Sequence, residues 1–230
     1  DKSKSYILCA FLISHCWYLI SYAQEVRSYS LGYFFSLLSI ILFISILRLN
    51  LANFLSKYSL SIFFILINIL GLINHSFFAI VIFSQFLFSL NFFDNKKKFR
   101  LILFNLIIIG IIYLILMYPF LIKNLSYKSF WISQVEPTFF IDYFFPRFFG
   151  SKIMGYLYLF SLTFLIFKFY KIIFTLKSIY QLLFILLISA YIIPLVYGLI
   201  KIPILIDRYI IFVITPILLF ISSFSYKLPI

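Results

Sequence analysis

Glu25 and Arg27 stand two residues apart at the edge of a long apolar run, in a chain with only six acidic residues among 230. A charge near membrane depth costs roughly a few kcal/mol unless it is paired or reaches water, so the two side chains need an explanation. An interfacial ion pair that ends a helix is one. The other is a polar pocket in which Arg27 grips a phosphate through its planar fork while Glu25 holds a metal ion or a sugar hydroxyl. Tyr29 then adds a hydroxyl donor on the same side.

Three further places carry chemistry of the same kind. His75 stands between Asn74 and Ser76 at a tight turn between apolar runs, where a histidine either caps a helix end or binds a polar ligand. Asp207-Arg208-Tyr209 opens the last apolar run. Negative charge is favoured at a helix N-terminus, which is sufficient reason for Asp207, but Arg208 gains nothing from that dipole and is easier to understand beside a bound anion. Trp131 and the tyrosines around it read either as an interfacial aromatic belt or as a platform on which a sugar ring stacks. Other chemistries lack their residues: there is no Gly-rich phosphate loop, no paired His or Cys metal spacing and no serine-nucleophile signature. With His15 and His75 the only histidines, a haem-bearing subunit has no ligands to draw on.

The elements that must position these residues are membrane helices. Hydrophobic residues make up 65% of the chain and charged residues 11%, against roughly 25% charged in a soluble domain. Mean hydropathy is +1.15. Apolar runs of about 17 to 22 residues recur from end to end, enough for a helix to cross a hydrocarbon core of about 30 Å. The runs are Ser5 to Tyr22, Leu31 to Leu47, Ser59 to Ile73, Phe77 to Phe93, Leu101 to Ile122, Met154 to Tyr170, Ile179 to Ile200 and Ile210 to Ser223. They predict an all-α, polytopic transmembrane helical bundle of about eight spans forming one domain over residues 1–230. The run Ser59 to Ile73 is short for a full crossing, which requires a thinned bilayer or a re-entrant path.

Basic residues set the orientation. Twelve lysines and arginines, Lys96, Lys97, Lys98 and Arg100 among them, fall in segments on one side, and seven fall on the other, Arg27 and Arg208 among them. By the positive-inside rule the first side is cytoplasmic. Glu25, Glu136, Asp142 and Asp207 all fall on the external side, an asymmetry that insertion does not require. It marks the external face as the one with polar work to do. The long segment 123–153 is an external loop whose aromatic residues suit a cap lying on the membrane interface.

The net charge of +13 is scattered between apolar runs rather than gathered on a polar domain, so it speaks for topology and against nucleic acid as a partner. Cys9 and Cys16 share the first apolar run and read as packing residues. The chain opens on Asp1 with no signal peptide before the first span, which suggests the C-terminal portion of a longer membrane protein.

Five segments carry a family resemblance. Tyr22-Ala23-Gln24-Glu25-Val26-Arg27-Ser28-Tyr29-Ser30-Leu31 resembles a segment of bacterial GT-C glycosyltransferases related to the protein mannosyltransferase family 39. In the same order along the chain, Gly71 to Phe78 is similar to that family's Gly-Leu turn with its histidine, and Tyr118-Pro119-Phe120-Leu121 to a proline motif beside a span. Ser129-Phe130-Trp131-Ile132 is similar to an external Phe-Trp segment, and Asp207-Arg208-Tyr209 to an Arg-Tyr pair that opens a late helix. Each is short. Their shared order over nearly the whole chain gives them weight together.

The resemblance implies transfer of a sugar from a polyprenyl-phosphate carrier to a lipid, glycan or protein acceptor at the external face of a bacterial inner membrane. It implies a single displacement at the anomeric carbon with inversion, in which Arg27 and Arg208 neutralise the leaving phosphate. Tyr29, His75, Trp131 and Tyr209 would contact donor or sugar, and Glu25 would orient the donor or bind a divalent metal ion, the one cofactor expected. The family's early acidic motif has no match here, so the catalytic carboxylate is expected upstream and the 230 residues alone are expected to be inactive. A lipid-linked glycan flippase or other transporter, an O-antigen polymerase and a purely structural subunit are the rival readings. A transporter should show polar or Gly/Pro-interrupted helices near mid-membrane.

Overall fold

The computed structural model describes residues 2–25, 27–49, 54–125, 132, 148–175 and 177–225. Trp131, Glu136, Asp142 and most of the predicted loop 123–153 lie outside them. All regular structure among the described residues is helical. The elements are α1 (Lys2–Ser14), α2 (Trp17–Gln24), α3 (Ser28–Arg48), α4 (Phe54–Asn74), α5 (Ala79–Ser89), α6 (Lys96–Leu125), α7 (Lys152–Lys168), α8 (Tyr170–Ile173), α9 (Ile179–Ile200) and α10 (Ile214–Ser225). Tight 3₁₀ turns at Ser76–Phe78, Leu90–Phe92 and Asp207–Val213 lead into or out of α5 and into α10.

Each of the eight predicted runs meets a helix or a pair of helices, with three differences. The first run is broken: α1 and α2 meet at a 52° bend around His15 and Cys16. The last begins at Asp207 rather than Ile210, because the 3₁₀ turn joins α10 into one apolar rod. Helix α6 runs to Leu125, past the predicted start of the loop at 123. Four helices are long and apolar enough to cross a membrane, Ser28–Arg48, Lys96–Phe120, Ile179–Ile200 and Asp207–Ser225, and the α1–α2 pair makes five if it counts as one span. Tyr58–Asn74 and Ser76–Phe92 are apolar but shorter.

In a chain so uniformly apolar, packing rather than composition decides which side of a helix faces inward. The rod Asp207–Ser225 is the centre, with 72% of its span buried, and it touches α1, α3, α7 and α9. Around it α3 packs on α4, α4 on α6, and α5 on α9. Helix α6 is the opposite case, with only 17% of its span buried. Its Ile111, Leu114 and Ile115 side chains are exposed, as on a face turned to an apolar surrounding.

Polar contacts fix the register between helices where apolar packing alone would let them slide. Inside the bundle, buried Gln85 donates from Nε2 to Ser39 Oγ at 2.8 Å, and Ser39 donates to Asn68 Oδ1 at 2.9 Å, joining α5, α3 and α4. Asn105 Nδ2 likewise donates to Ser61 Oγ, tying α6 to α4. Such bonds hold membrane helices together because the lipid offers no competing partner. The Gln85 Oε1 atom, also buried, accepts from no protein group.

The two ends of the bundle differ in character. At one end Lys98 Nζ donates to the Leu47 carbonyl at 2.6 Å, placing a cation on the negative end of α3, and Lys177 pairs with Asp94 at 3.5 Å. At the other end lie the start of α3, the turn after α4 and the start of the central rod. That second end holds Glu25, Arg27, Tyr29, His75, Arg208 and Tyr209.

Candidate functional site

The site begins with two glycines. A Cβ on Gly71 would lie 2.6–2.7 Å from the ring of Phe78, so the bare backbone of α4 is what lets that buried ring lie against it as the chain turns back. A Cβ on Gly32 would lie 3.1 Å from Asn74 Nδ2, the atom that donates to the Ser28 carbonyl at 2.8 Å. These close approaches bring the turn at 74–78 against the start of α3.

His75 occupies that turn as the N-cap of the 3₁₀ segment. Its Nδ1 accepts from the Phe77 amide at 3.2 Å, which fixes the tautomer: Nδ1 bears no proton and Nε2 keeps its own. Burial pushes the imidazole down to about 4, so the ring is neutral near pH 7. It can offer a ligand one hydrogen bond from Nε2, but no positive charge. The helix-capping role is therefore present, and it leaves a second edge of the ring for other work.

Around His75 the aromatic rings of three distant segments meet. Its ring centroid is 4.7 Å from that of Tyr209 and 6.0 Å from that of Tyr29, and Tyr209 in turn lies 5.0 Å from Phe77. The chain of rings continues from Tyr29 to Tyr22 at 5.3 Å and from Tyr22 to Tyr18 at 4.5 Å. The Arg208 guanidinium lies 5.8 Å over the Tyr29 ring and 5.9 Å over that of Tyr209, within cation–π reach of both. Tyr29, His75, Arg208 and Tyr209 line one small cavity together with Ser28 and Gly32. Its free space of ≈ 20 Å³ admits about one water, so a sugar must lie outside it with only a polar atom reaching in.

Glu25 and Arg27 take a different position. Arg27 Nε pairs with Glu25 Oε2 at 3.3 Å, both side chains are about half exposed, and neither lines the cavity. The backbone closes the same segment, with the Arg27 amide donating to the Glu25 carbonyl at 2.8 Å. This is the helix-ending ion pair, at the N-terminus of α3 and two residues from Tyr29. The expected convergence of Glu25, Arg27, His75 and Arg208 on one cavity is thus half observed: His75 and Arg208 meet, and Glu25 and Arg27 meet each other. Among the described residues no three His, Cys, Asp or Glu side chains are grouped as metal ligands. The Glu25 carboxylate faces the Arg27 guanidinium, which a divalent ion would have to displace.

Some neighbours of the site carry no sequence signal. Asp207 is 4% exposed, not a solvated capping residue. The Tyr18 hydroxyl lies against the Tyr22 hydroxyl and the Asp207 carboxylate without a well-aligned hydrogen bond to either. Tyr22 lies within electrostatic range of Asp207, Glu25 and Arg208. A second cavity of ≈ 430 Å³ opens on this side, lined by Trp17, Tyr18, Tyr22, Ser151, Lys152 and Asp207 among others. Cys16 donates from Sγ to the Phe148 carbonyl at 3.4 Å close by, and both cysteines are free thiols. Cys9 lies in α1 and Cys16 in the bend that precedes α2.

In comparison with known proteins, no family model, no curated protein and no solved structure matches the chain.

Proposed function

We propose that the protein is a membrane glycosyltransferase that moves a sugar from a polyprenyl-phosphate carrier to a lipid, glycan or protein acceptor of the bacterial cell envelope. The observation that supports this most is Arg208, a guanidinium held over two tyrosine rings at one end of an apolar bundle. A lipid phosphate has its anion and its hydrocarbon tail side by side. It needs a cation that stays in place at the edge of an apolar body, and such an arrangement stabilises charge where it develops on a leaving group. Neutral His75 adds a hydrogen-bond donor, and Tyr29 and Tyr209 add rings and hydroxyls. Arg27 acts as an outer cation for an approaching headgroup, and Trp131 as a sugar platform.

The proposed topology is eight crossings of the inner membrane, with the Arg208 end external and the Lys98 end cytoplasmic. It draws support from the basic residues at the Lys98 end, following the positive-inside rule. The test is transfer of labelled sugar from synthetic decaprenyl-phosphate donors to membrane acceptors by the full-length protein in liposomes. No transfer with any donor, under conditions where the protein is folded and inserted, rejects the reading.

A second reading, a flippase or other transporter of lipid-linked glycan, is favoured by different observations. The first span is broken at mid-length, Pro119 and Pro194 lie inside α6 and α9, and the Ser39–Asn68–Gln85 network places amides deep in the bundle. These are features expected of a transport path. Reconstituted vesicles separate the two: movement of a labelled lipid-linked glycan between leaflets without sugar transfer supports the transporter and rejects the transferase.

A further inference from the structure

The end of the bundle opposite the aromatic cavity gathers cations from three separate segments. Lys98 donates from Nζ to the Leu47 carbonyl at 2.6 Å, which brings the first turn of α6 beside the exposed Arg48 that closes α3. The Lys177–Asp94 pair at 3.5 Å holds the turn before α9 against the turn before α6. Asn91 Nδ2, donating to Gln181 Oε1 at 3.2 Å, ties the same two segments together. Lys96 and Lys97, both exposed, follow Asp94 closely in the chain. Asp94 is the one acidic residue at this end among the described residues, and Lys177 already faces it. Arg48, Lys96, Lys97 and Lys98 thus share a surface with little negative charge to offset them.

Topology asks for cations on one side of a membrane but not for their convergence on one patch. Local structure does not ask for them either. The dipole of α6 disfavours lysine in its first turn, and no acidic residue stands there to compensate. Lys177 has a φ of 65°, a conformation that suits glycine. Beside these charges two large rings turn outward, Phe93 at 64% exposure and Phe174 at 53%. A free phosphate or an acidic peptide meets the charges but leaves the rings in water. A lipid with a net negative headgroup meets both: its phosphate diester reaches the ammonium groups while its glycerol and upper acyl chain cover the rings. A zwitterionic lipid offers less, because its own ammonium stands beside its phosphate.

We infer that this surface binds anionic phospholipid of the leaflet in which it lies, with Arg48, Lys96 and Lys97 meeting the headgroup and Phe93 and Phe174 the acyl-chain boundary. The inference rests on the chain's crossing a membrane. It is independent of the sugar-transfer reading and of which leaflet is cytoplasmic.

The test places the full chain in detergent micelles containing equal amounts of phosphatidylglycerol and phosphatidylcholine with matched acyl chains, and counts retained lipid by native mass spectrometry. Phosphatidylglycerol should be retained over phosphatidylcholine. The preference should fall about fivefold for each cation removed in Lys96→Gln and then in Lys96→Gln with Lys97→Gln. Both side chains are exposed, so these variants keep the fold. Lys177→Gly suits the backbone at that position and uncovers the Asp94 carboxylate, so it should keep the fold and weaken the preference. Lys201→Gln, at the opposite end of α9, should change nothing. A micelle has no inside or outside, so cations that serve topology alone predict a preference that none of the variants moves, and that result overturns the site. An equal loss in Lys201→Gln also overturns it, since the preference would then follow net charge. So does a wild type that retains inorganic phosphate or an acidic peptide but does not distinguish the two lipids.

Discussion

Arg208 lies with its guanidinium 5.8 Å over the ring of Tyr29, one residue from the start of the most buried rod and the other in the first turn of α3. The contact joins two segments that lie far apart in the chain. It makes the guanidinium's placement depend in part on aromatic rings.

Removing that charge should therefore weigh on transfer more than on folding. Arg208→Ala is expected to lower sugar transfer per folded molecule by about 10²-fold or more, the scale seen when one donor to a developing oxyanion is lost. Arg208→Lys should recover only part, because an ammonium lacks the planar fork. Near-normal transfer by Arg208→Ala would remove the phosphate-binding role.

The Glu25–Arg27 pair is half exposed, and exposed pairs contribute about 0–1 kcal/mol. Arg27→Ala should accordingly leave the melting temperature almost unchanged in detergent. Its effect on transfer should be smaller than that of Arg208→Ala, as suits an outer cation. A loss equal to that of Arg208→Ala would put Arg27 in contact with the leaving phosphate.

His75 makes stability depend on pH with a definite sign. Its folded pKa of about 4 lies below the ordinary value of 6.5, so between the two the unfolded chain binds the proton and the folded one does not. The contribution is fully present above about pH 6.5 and is lost as pH falls towards 4. Thermal melts across that window should show the decline, and His75→Gln should flatten it. An unchanged slope in the variant would mean that other groups titrate.

Gly71→Ala places a methyl group where the Phe78 ring already lies. Overpacking of this kind costs about 1–3 kcal/mol. A drop in melting temperature that Phe78→Leu partly reverses in the double variant is the expected result. Additive losses would show that the two positions do not share the space.

Sequence alone made part of this legible. Tyr29, His75, Arg208 and Tyr209 were picked out by residue type and by their places at the ends of apolar runs, and those four do meet. The helical elements were equally plain, since apolar runs of that length have few other uses. Glu25 and Arg27 were read by composition, which cannot say whether two neighbouring charges turn to a ligand or to each other. The bend at His15 and Cys16 contains neither proline nor glycine, so no local signal announced it. The burial of Asp207 and the company of Tyr18 depend on which side of a helix faces protein. In a chain where lipid-facing and protein-facing sides are both apolar, periodicity carries almost none of that information.

Both cavities at the Arg208 end of the bundle are lined in part by the central rod. Asp207, Arg208 and Tyr209 form its first turn, and the rod continues into a body that is 72% buried. A slip of that rod by one residue's rise, about 1.5 Å, would carry all three side chains with it. Carboxylate, guanidinium and phenol thus behave as teeth on a single key: a sequence change deep in the rod, at Phe220 or Phe224, that shifted it would displace all three together.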